Sequence, residues 1–217
     1  MIKVECFPLG VLSANCYFVY DPDNKVSMLV DTGDSSTVLQ ARIDSFGGEK
    51  LQYILLTHGH FDHIGGTAWF KERYPQVRIV LSEGDLDFPS DQRLNLAHHF
   101  DQQIIHFRPD IIVKDGDELP FGKETIRVLS TPGHTRGGVC YLLGEHLFTG
   151  DTLISGTTGR TDFPTGNIKA MYRSIERLAA LDGDYYVYCG HGEMSTLENE
   201  RLYNMFMRKY FYDDLSK

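Results

Sequence analysis

The chain has 217 residues, 41% of them hydrophobic and 24% charged, with a formal net charge of −9. A chain of this size buries a core without disulfide staples, and with no Pro/Gly/Ser-rich linker it reads as a single domain over residues 1–217. The acidic balance, with no basic block, argues against a nucleic-acid partner, and no apolar run nears the roughly 20 residues that span a bilayer.

The first eight residues lack a long apolar core and carry Glu5 early, unlike a secretory signal. Residues 15–20 and 26–31 flank the turn Asp21-Pro22-Asp23-Asn24, which predicts a hairpin. A helix is expected from an N-cap at Asp34 or Ser35, with Leu39, Arg42, Ile43 and Phe46 on one face and a stop at Gly47-Gly48. Residues 51–57 and 77–82 are short, β-branched and nearly all apolar, as strands buried on both faces are. Residues 84–108 are polar and lack a clean period, which fits a surface excursion or a helix.

Residues 126–130, 139–143 and 146–149 read as strands. Asn167 can cap a helix whose Ile168, Met171, Ile175 and Leu178 follow a 3.6-residue period and which ends by Gly183. Residues 185–189 form another strand, and Ser195-Thr196-Leu197-Glu198 reads as a capping box for a final helix to about Arg208. This mixture predicts an α/β fold with sheets inside and helices outside. Cys6, Cys16, Cys140 and Cys189 are scattered, three of them in apolar runs, and are read as buried free thiols in a reducing cytoplasm.

The densest chemistry lies in Thr57-His58-Gly59-His60-Phe61-Asp62-His63, three imidazoles and a carboxylate within seven residues. Histidine and aspartate cost free energy to bury unpaired, and a cation is the partner that suits all four. Extended chain places His58 and His60 on one side, and Gly59 leaves room for a sharp backbone path. The cluster sits just beyond a predicted strand, where α/β scaffolds build their sites.

His134, in Ser130-Thr131-Pro132-Gly133-His134-Thr135, shares that context. So do Asp151, in Phe148-Thr149-Gly150-Asp151-Thr152, and His191, in Cys189-Gly190-His191-Gly192. Each follows an apolar run and has small neighbours that let the backbone approach an ion. His98, His99, His106 and His146 lack the strand-end context and are read as solvated surface residues. Seven nitrogen and oxygen donors exceed the four of one tetrahedral zinc. They suit two divalent ions sharing a carboxylate, zinc first, with iron or manganese also chemically reasonable.

The motif His58-x-His60-x-Asp62-His63, followed by His134, Asp151 and His191, resembles the metallo-β-lactamase superfamily in order and spacing over most of the chain. The resemblance implies a four-layered αβ/βα sandwich with the site at one edge between two sheets. It implies that His58, His60 and His134 hold one ion, that Asp62, His63 and His191 hold the other, and that Asp151 bridges them. Asp31, in Val30-Asp31-Thr32-Gly33, matches a superfamily carboxylate that orients the ligand loop; capping the next helix is its other reading.

A bridging Asp151 is similar to the hydrolase and lactonase branches, since many β-lactamases carry cysteine or serine at that place. The run Gly159-Arg160-Thr161-Asp162-Phe163-Pro164 and the tail around Gly190-His191-Gly192 resemble small bacterial type II glyoxalase-like proteins. These are related to hydroxyacylglutathione hydrolase but lack its C-terminal helical domain. Full-length glyoxalase II enzymes grip glutathione with a lysine and a tyrosine after the bridging aspartate. Here Arg160 takes the lysine's role as the candidate substrate-binding residue, and Asp162 stands roughly at the tyrosine's place. A carboxylate there repels an anionic tripeptide.

The function implied is metal-dependent hydrolysis of a small-molecule thioester of the hydroxyacylglutathione type. A hydroxide bridging the ions attacks the acyl carbonyl, with Asp62 and Asp151 steering its proton. Imidazoles bind metal only when neutral, so affinity and activity are expected to fall below about pH 6. The nearest rival is a persulfide dioxygenase with one iron on His58, His134 and Asp151. A lactonase, a β-lactamase (more often exported) and a metal-stabilised module without turnover are further alternatives.

Overall fold

The structure, a computed structural model, describes residues 1–208. Strand β2 (Ala14–Asp21) shows how its layers arise, because nearly every residue in it is buried. Tyr17 and Val19 face one apolar cluster, while Cys16 and Phe18 face another. Side chains alternate across a strand, so a run without polar relief must be covered on both sides. Strands β3 (Val26–Val30) and β4 (Leu51–Leu55) repeat the pattern: Met28, Val30, Tyr53 and Leu55 point one way, Leu29, Leu51 and Ile54 the other.

These strands belong to a six-stranded sheet that runs β1 (Lys3–Leu9), β2, β3, β4, β5 (Arg78–Ser82), β6 (Ile111–Val113). Pairing is antiparallel from β1 to β3 and parallel from β3 to β6. A second six-stranded sheet runs β12 (Ser195–Thr196), β11 (Tyr186–Cys189), β10 (His146–Gly150), β9 (Val139–Leu143), β8 (Glu124–Ser130), β7 (Glu118–Phe121). Only its β10–β11 pair is parallel.

The two sheets share a core in which Tyr17 packs edge-on against Tyr188, with ring centres 5.3 Å apart, and Phe148 stacks on Tyr188 at 4.9 Å. Helices α1 (Thr37–Phe46), α2 (Phe61–Ile64) and α3 (Thr67–Arg73) cover the first sheet through Leu39, Ile43, Ile64 and Phe70. Helices α4 (Ile168–Ala179) and α5 (Leu197–Tyr203) cover the second through Met171, Ile175, Leu178 and Leu197. The order helices, sheet, sheet, helices is the αβ/βα sandwich. No helix among the described residues is long and apolar enough to cross a membrane.

Several local expectations need correction. Helix α1 is capped by Ser36, whose hydroxyl accepts from the Leu39 amide, because Asp34 turns back onto the Ser35 amide. Helix α5 is capped by Thr196, not by a box starting at Ser195, which lies in β12. It ends at Tyr203, short of Arg208, where the Asn204 side-chain Nδ2 donates to the carbonyls of Ile154 and Thr157. Residues 84–108 form short 3₁₀ turns, including Phe88–Ser90 and Ala97–Phe100, joined by irregular chain.

His146 is not a surface histidine: it is buried in β10 and hydrogen-bonded to the Tyr188 hydroxyl at 3.0 Å. His98, His99 and His106 are exposed. All four cysteines are free, but Cys6 lies exposed on the edge strand β1 while the other three are buried.

Candidate metal centre

The chain segments that follow β3, β4, β8, β10 and β11 converge at one edge between the sheets. Asp31, directly after β3, holds a left-handed backbone with φ of 57°. Such a conformation is strained for a residue with a Cβ and persists where its surroundings fix it. Here Asp31 Oδ1 accepts from the Thr57 amide, and Oδ2 accepts from the Thr57 hydroxyl and from His63 Nδ1, all at 2.8 Å. One carboxylate therefore ties both ends of the histidine segment. It does not cap α1, a role that falls to Ser36.

A second carboxylate holds the middle of that segment. Asp85, fully buried, accepts from the Gly59 amide at 3.0 Å, the Thr135 hydroxyl at 2.7 Å and the Gly137 amide at 2.9 Å. It joins the His58–His60 backbone to the turn that carries His134. Gly59 has no Cβ because Phe88 packs directly against that position. On the opposite side, the Asn15 side chain donates to the carbonyls of Cys189 and Gly192 at 3.0 and 2.9 Å, bracketing His191.

The sequence reading missed both roles. Asp85 follows β5 as the other site residues follow their strands, and Asn15 is a polar residue in an apolar strand, so each carried a usable signal.

All seven candidate ligands come together. Donor atoms of His58, His60 and His134 lie within 4.8 Å of one another, as do those of Asp62, His63 and His191, and those of His58, His63 and Asp151. In the second set, Asp62 Oδ2, His63 Nε2 and His191 Nε2 stand 3.2, 3.3 and 3.7 Å apart. Donors held about 2.1 Å from a tetrahedral ion are separated by about 3.4 Å. Asp151 stands between the two trios, 3.4 Å from His134 Nε2 and 3.4 Å from His63 Nε2. Of the four buried side-chain polar atoms without a hydrogen-bond partner among the described residues, three are here: His58 Nε2, His60 Nε2 and Asp151 Oδ1. Buried polar atoms are nearly always satisfied, so this donor set fits a cation.

Proton placement points the same way. The Thr57 hydroxyl already donates to Asp31, so it accepts from His58 Nδ1–H and leaves Nε2 bare. The Arg160 carbonyl accepts from His134 Nδ1 at 2.7 Å, and Asp31 accepts from His63 Nδ1, so both present Nε2 inward. Burial, reinforced by the neighbouring imidazoles, pushes His58 and His60 well below the ordinary histidine value. Burial acts on His63 too, but Asp62, Asp31 and Asp151 overcome it and raise that imidazole to about 10. Asp62, which burial would raise, is held well below the usual carboxylate range by His63 and His191. His58 and His60 are thus neutral within a nitrogen-rich trio, whereas His63 stands among the carboxylates Asp31, Asp62 and Asp151, which demand positive charge.

A cleft of about 360 Å³ opens above His60, Asp62, His134, Asp151 and His191. Leu96 and Phe100 from the 84–108 excursion and Thr158, Gly159, Arg160 and Phe163 from the later loop line it, together with Leu12, Phe61 and Ile154.

A sequence profile of the metallo-beta-lactamase superfamily matches residues 9–191. The hydroxyacylglutathione hydrolase GloC of Haemophilus influenzae is 32% identical, over 95% of this chain and 98% of its own. The human mitochondrial persulfide dioxygenase ETHE1 is 32% identical, over 88% of this chain and 71% of its own. Among solved structures, the B3 metallo-beta-lactamase BLEG-1 superposes with a TM-score of 0.84 at 29% identity, covering 95% of this chain and 99% of that one. The protein TTHA1623, solved in a di-iron-bound form, gives 0.81 at 32% identity, covering 94% and 100%. Fold, clustered metal donors and sequence agree: the chain belongs to the metallo-beta-lactamase superfamily.

Proposed function

We propose that this chain is a two-metal hydrolase of thioesters, with zinc as the first choice of ion. The observation that carries this reading is the pair of complete donor trios with Asp151 between them. His58, His60 and His134 would hold one ion, Asp62, His63 and His191 the other, and Asp151 both. When bound, such ions polarise an acyl carbonyl and bring the pKa of water towards about 7.

The chain's own residues set the rest. Thr57 and the Arg160 carbonyl keep protons on the outer ring nitrogens of His58 and His134, and Asp31 holds His63 by Nδ1, so each turns its Nε2 towards the ion it would hold. Asp62 and Asp151 offer carboxylate oxygens that accept the proton shed by the attacking water. The water oxygen bonds to the acyl carbon, the C–S bond breaks, and the thiol leaves with a proton. The apolar cleft wall limits competing solvent around the thioester. The relationship to a hydroxyacylglutathione hydrolase supports the thioester class.

The relationship to a persulfide dioxygenase supports one rival, a single iron on His58, His134 and Asp151. Elemental analysis paired with turnover of thioesters and of glutathione persulfide separates the two. Two ions per chain with thioester cleavage is the expected outcome, and Asp62→Ala should abolish that cleavage while the protein stays folded. One iron per chain with oxygen consumption on the persulfide would refute the hydrolase.

A further inference from the structure

We infer that the substrate is a thioester with an apolar body and no distal carboxylate, an inference that rests on the hydrolase reading above. Apart from the candidate metal ligands, the cleft is walled chiefly by Leu12, Phe61, Leu96, Phe100, Ile154 and Phe163. Leu12 and Phe100 are each 40% exposed, so the apolar wall continues out to the mouth. A substrate that fills it gains about fourfold in affinity for each methylene it buries.

Among the described residues, Arg160 is the one lysine or arginine lining this cleft, and its charge is already matched. Its Nε and Nη2 donate to the two oxygens of Asp162 at 2.7 and 2.6 Å, and its guanidinium lies 4.1 Å from the centre of the Phe163 ring. That two-point geometry is the one by which arginine would seize a substrate carboxylate. A distal carboxylate must therefore displace Asp162 or take the remaining Nη1 side of a guanidinium whose charge Asp162 already balances. The chain's net charge of −9 adds a repulsive background. A glutathione thioester would bring its glycyl and glutamyl carboxylates to this mouth and find no unmatched cation among the described residues that line it. The same acyl group on a neutral thiol meets no such opposition.

The test uses the zinc-loaded full chain and two esters that share one acyl group, S-hexanoyl-N-acetylcysteamine and S-hexanoylglutathione. The corresponding S-hexyl thioethers, which cannot be cleaved, report binding by calorimetry. The neutral ester should be cleaved with kcat/KM at least about tenfold higher, and its thioether should bind more tightly. Asp162→Ala frees Arg160 and should narrow the gap by accelerating the glutathione ester alone. Equal or better cleavage and binding of the glutathione pair, weakening with added salt, would overturn the inference while leaving the hydrolase intact. Thioethers that bind in the expected order while neither ester is cleaved would instead overturn the hydrolase reading, leaving the apolar preference supported.

Discussion

Asp85 offers the sharpest test of how the histidine segment is held. Replacing it with alanine strands three donors in a fully buried place: the amides of Gly59 and Gly137 and the hydroxyl of Thr135. Each unsatisfied group costs about 1–3 kcal/mol, a gross loss of about 3–9 kcal/mol. Against this stands the carboxylate's own burial, which raises its pKa from 3.8 to about 6 despite those three hydrogen bonds. A shift of about two units corresponds to about 3 kcal/mol at neutral pH, so the net destabilisation should be about 3 kcal/mol.

The pH dependence has a definite sign. A folded pKa above the unfolded value means that Asp85's contribution is full below pH 3.8 and lost as pH rises through 6. The stability gap between wild type and Asp85→Ala should therefore narrow by about 1 kcal/mol between pH 5 and pH 7.5. Urea unfolding of the chelated proteins at those two values measures it, and competition with a chromophoric chelator reads metal affinity, expected to fall about 10–100-fold. A variant as stable as wild type at both pH values, with unchanged affinity, would refute the role given to Asp85.

Metal binding should show two pH dependences. Below about pH 10 the second trio must expel the His63 proton, so its affinity should rise at least about tenfold per pH unit between pH 6 and 8. The first trio, with His58 and His60 already neutral, should vary far less. Stoichiometry after equilibrium dialysis at pH 5.5 and 8 checks this, and loss of both ions in parallel would count against it. Asp31→Asn presents an amide N–H to His63 Nδ1, which favours the tautomer with its proton on Nε2. Affinity of the second trio should then fall about 10–100-fold in the same assay, with the first trio retained. Gly190→Ala places a Cβ against the Asp151 carboxylate; it should lower metal content and turnover together, and a fully loaded, fully active variant would contradict the packing argument.

The layers of this fold and the candidate ligand cluster were legible because each rests on local rules. Strands β2 to β5 are apolar on both faces, so burial on both sides followed from their composition. The candidate ligands announced themselves as histidines and aspartates beside glycines just after such strands. Helix α5 misled, because its end is decided by Asn204 reaching the carbonyls of Ile154 and Thr157, a contact between distant residues. His146 misled for a related reason. Its strand was visible, but the Tyr188 hydroxyl that satisfies its ring belongs to the neighbouring strand β11. Cys6 was grouped with the buried thiols although its run carries Lys3 and Glu5, and β1 is an edge strand that leaves it exposed.

The cleft was the least legible part, and its make-up explains why. Leu12, Leu96 and the pair Ile154 and Phe163 come from three separate loops, and none has a side chain that signals chemistry. Only Arg160 stood out, and as an apparent anion anchor. The structure alters that meaning, because Asp162 two residues later closes on the guanidinium and leaves an apolar surface with a neutral pair at its rim. The same carboxylate that suggested repulsion of an anionic substrate occupies the one arginine that lines the cleft among the described residues. On the proposed reading, selectivity is a competition between Asp162 and a substrate carboxylate for one guanidinium, and it should yield to changes at position 162 without disturbing the candidate metal centre.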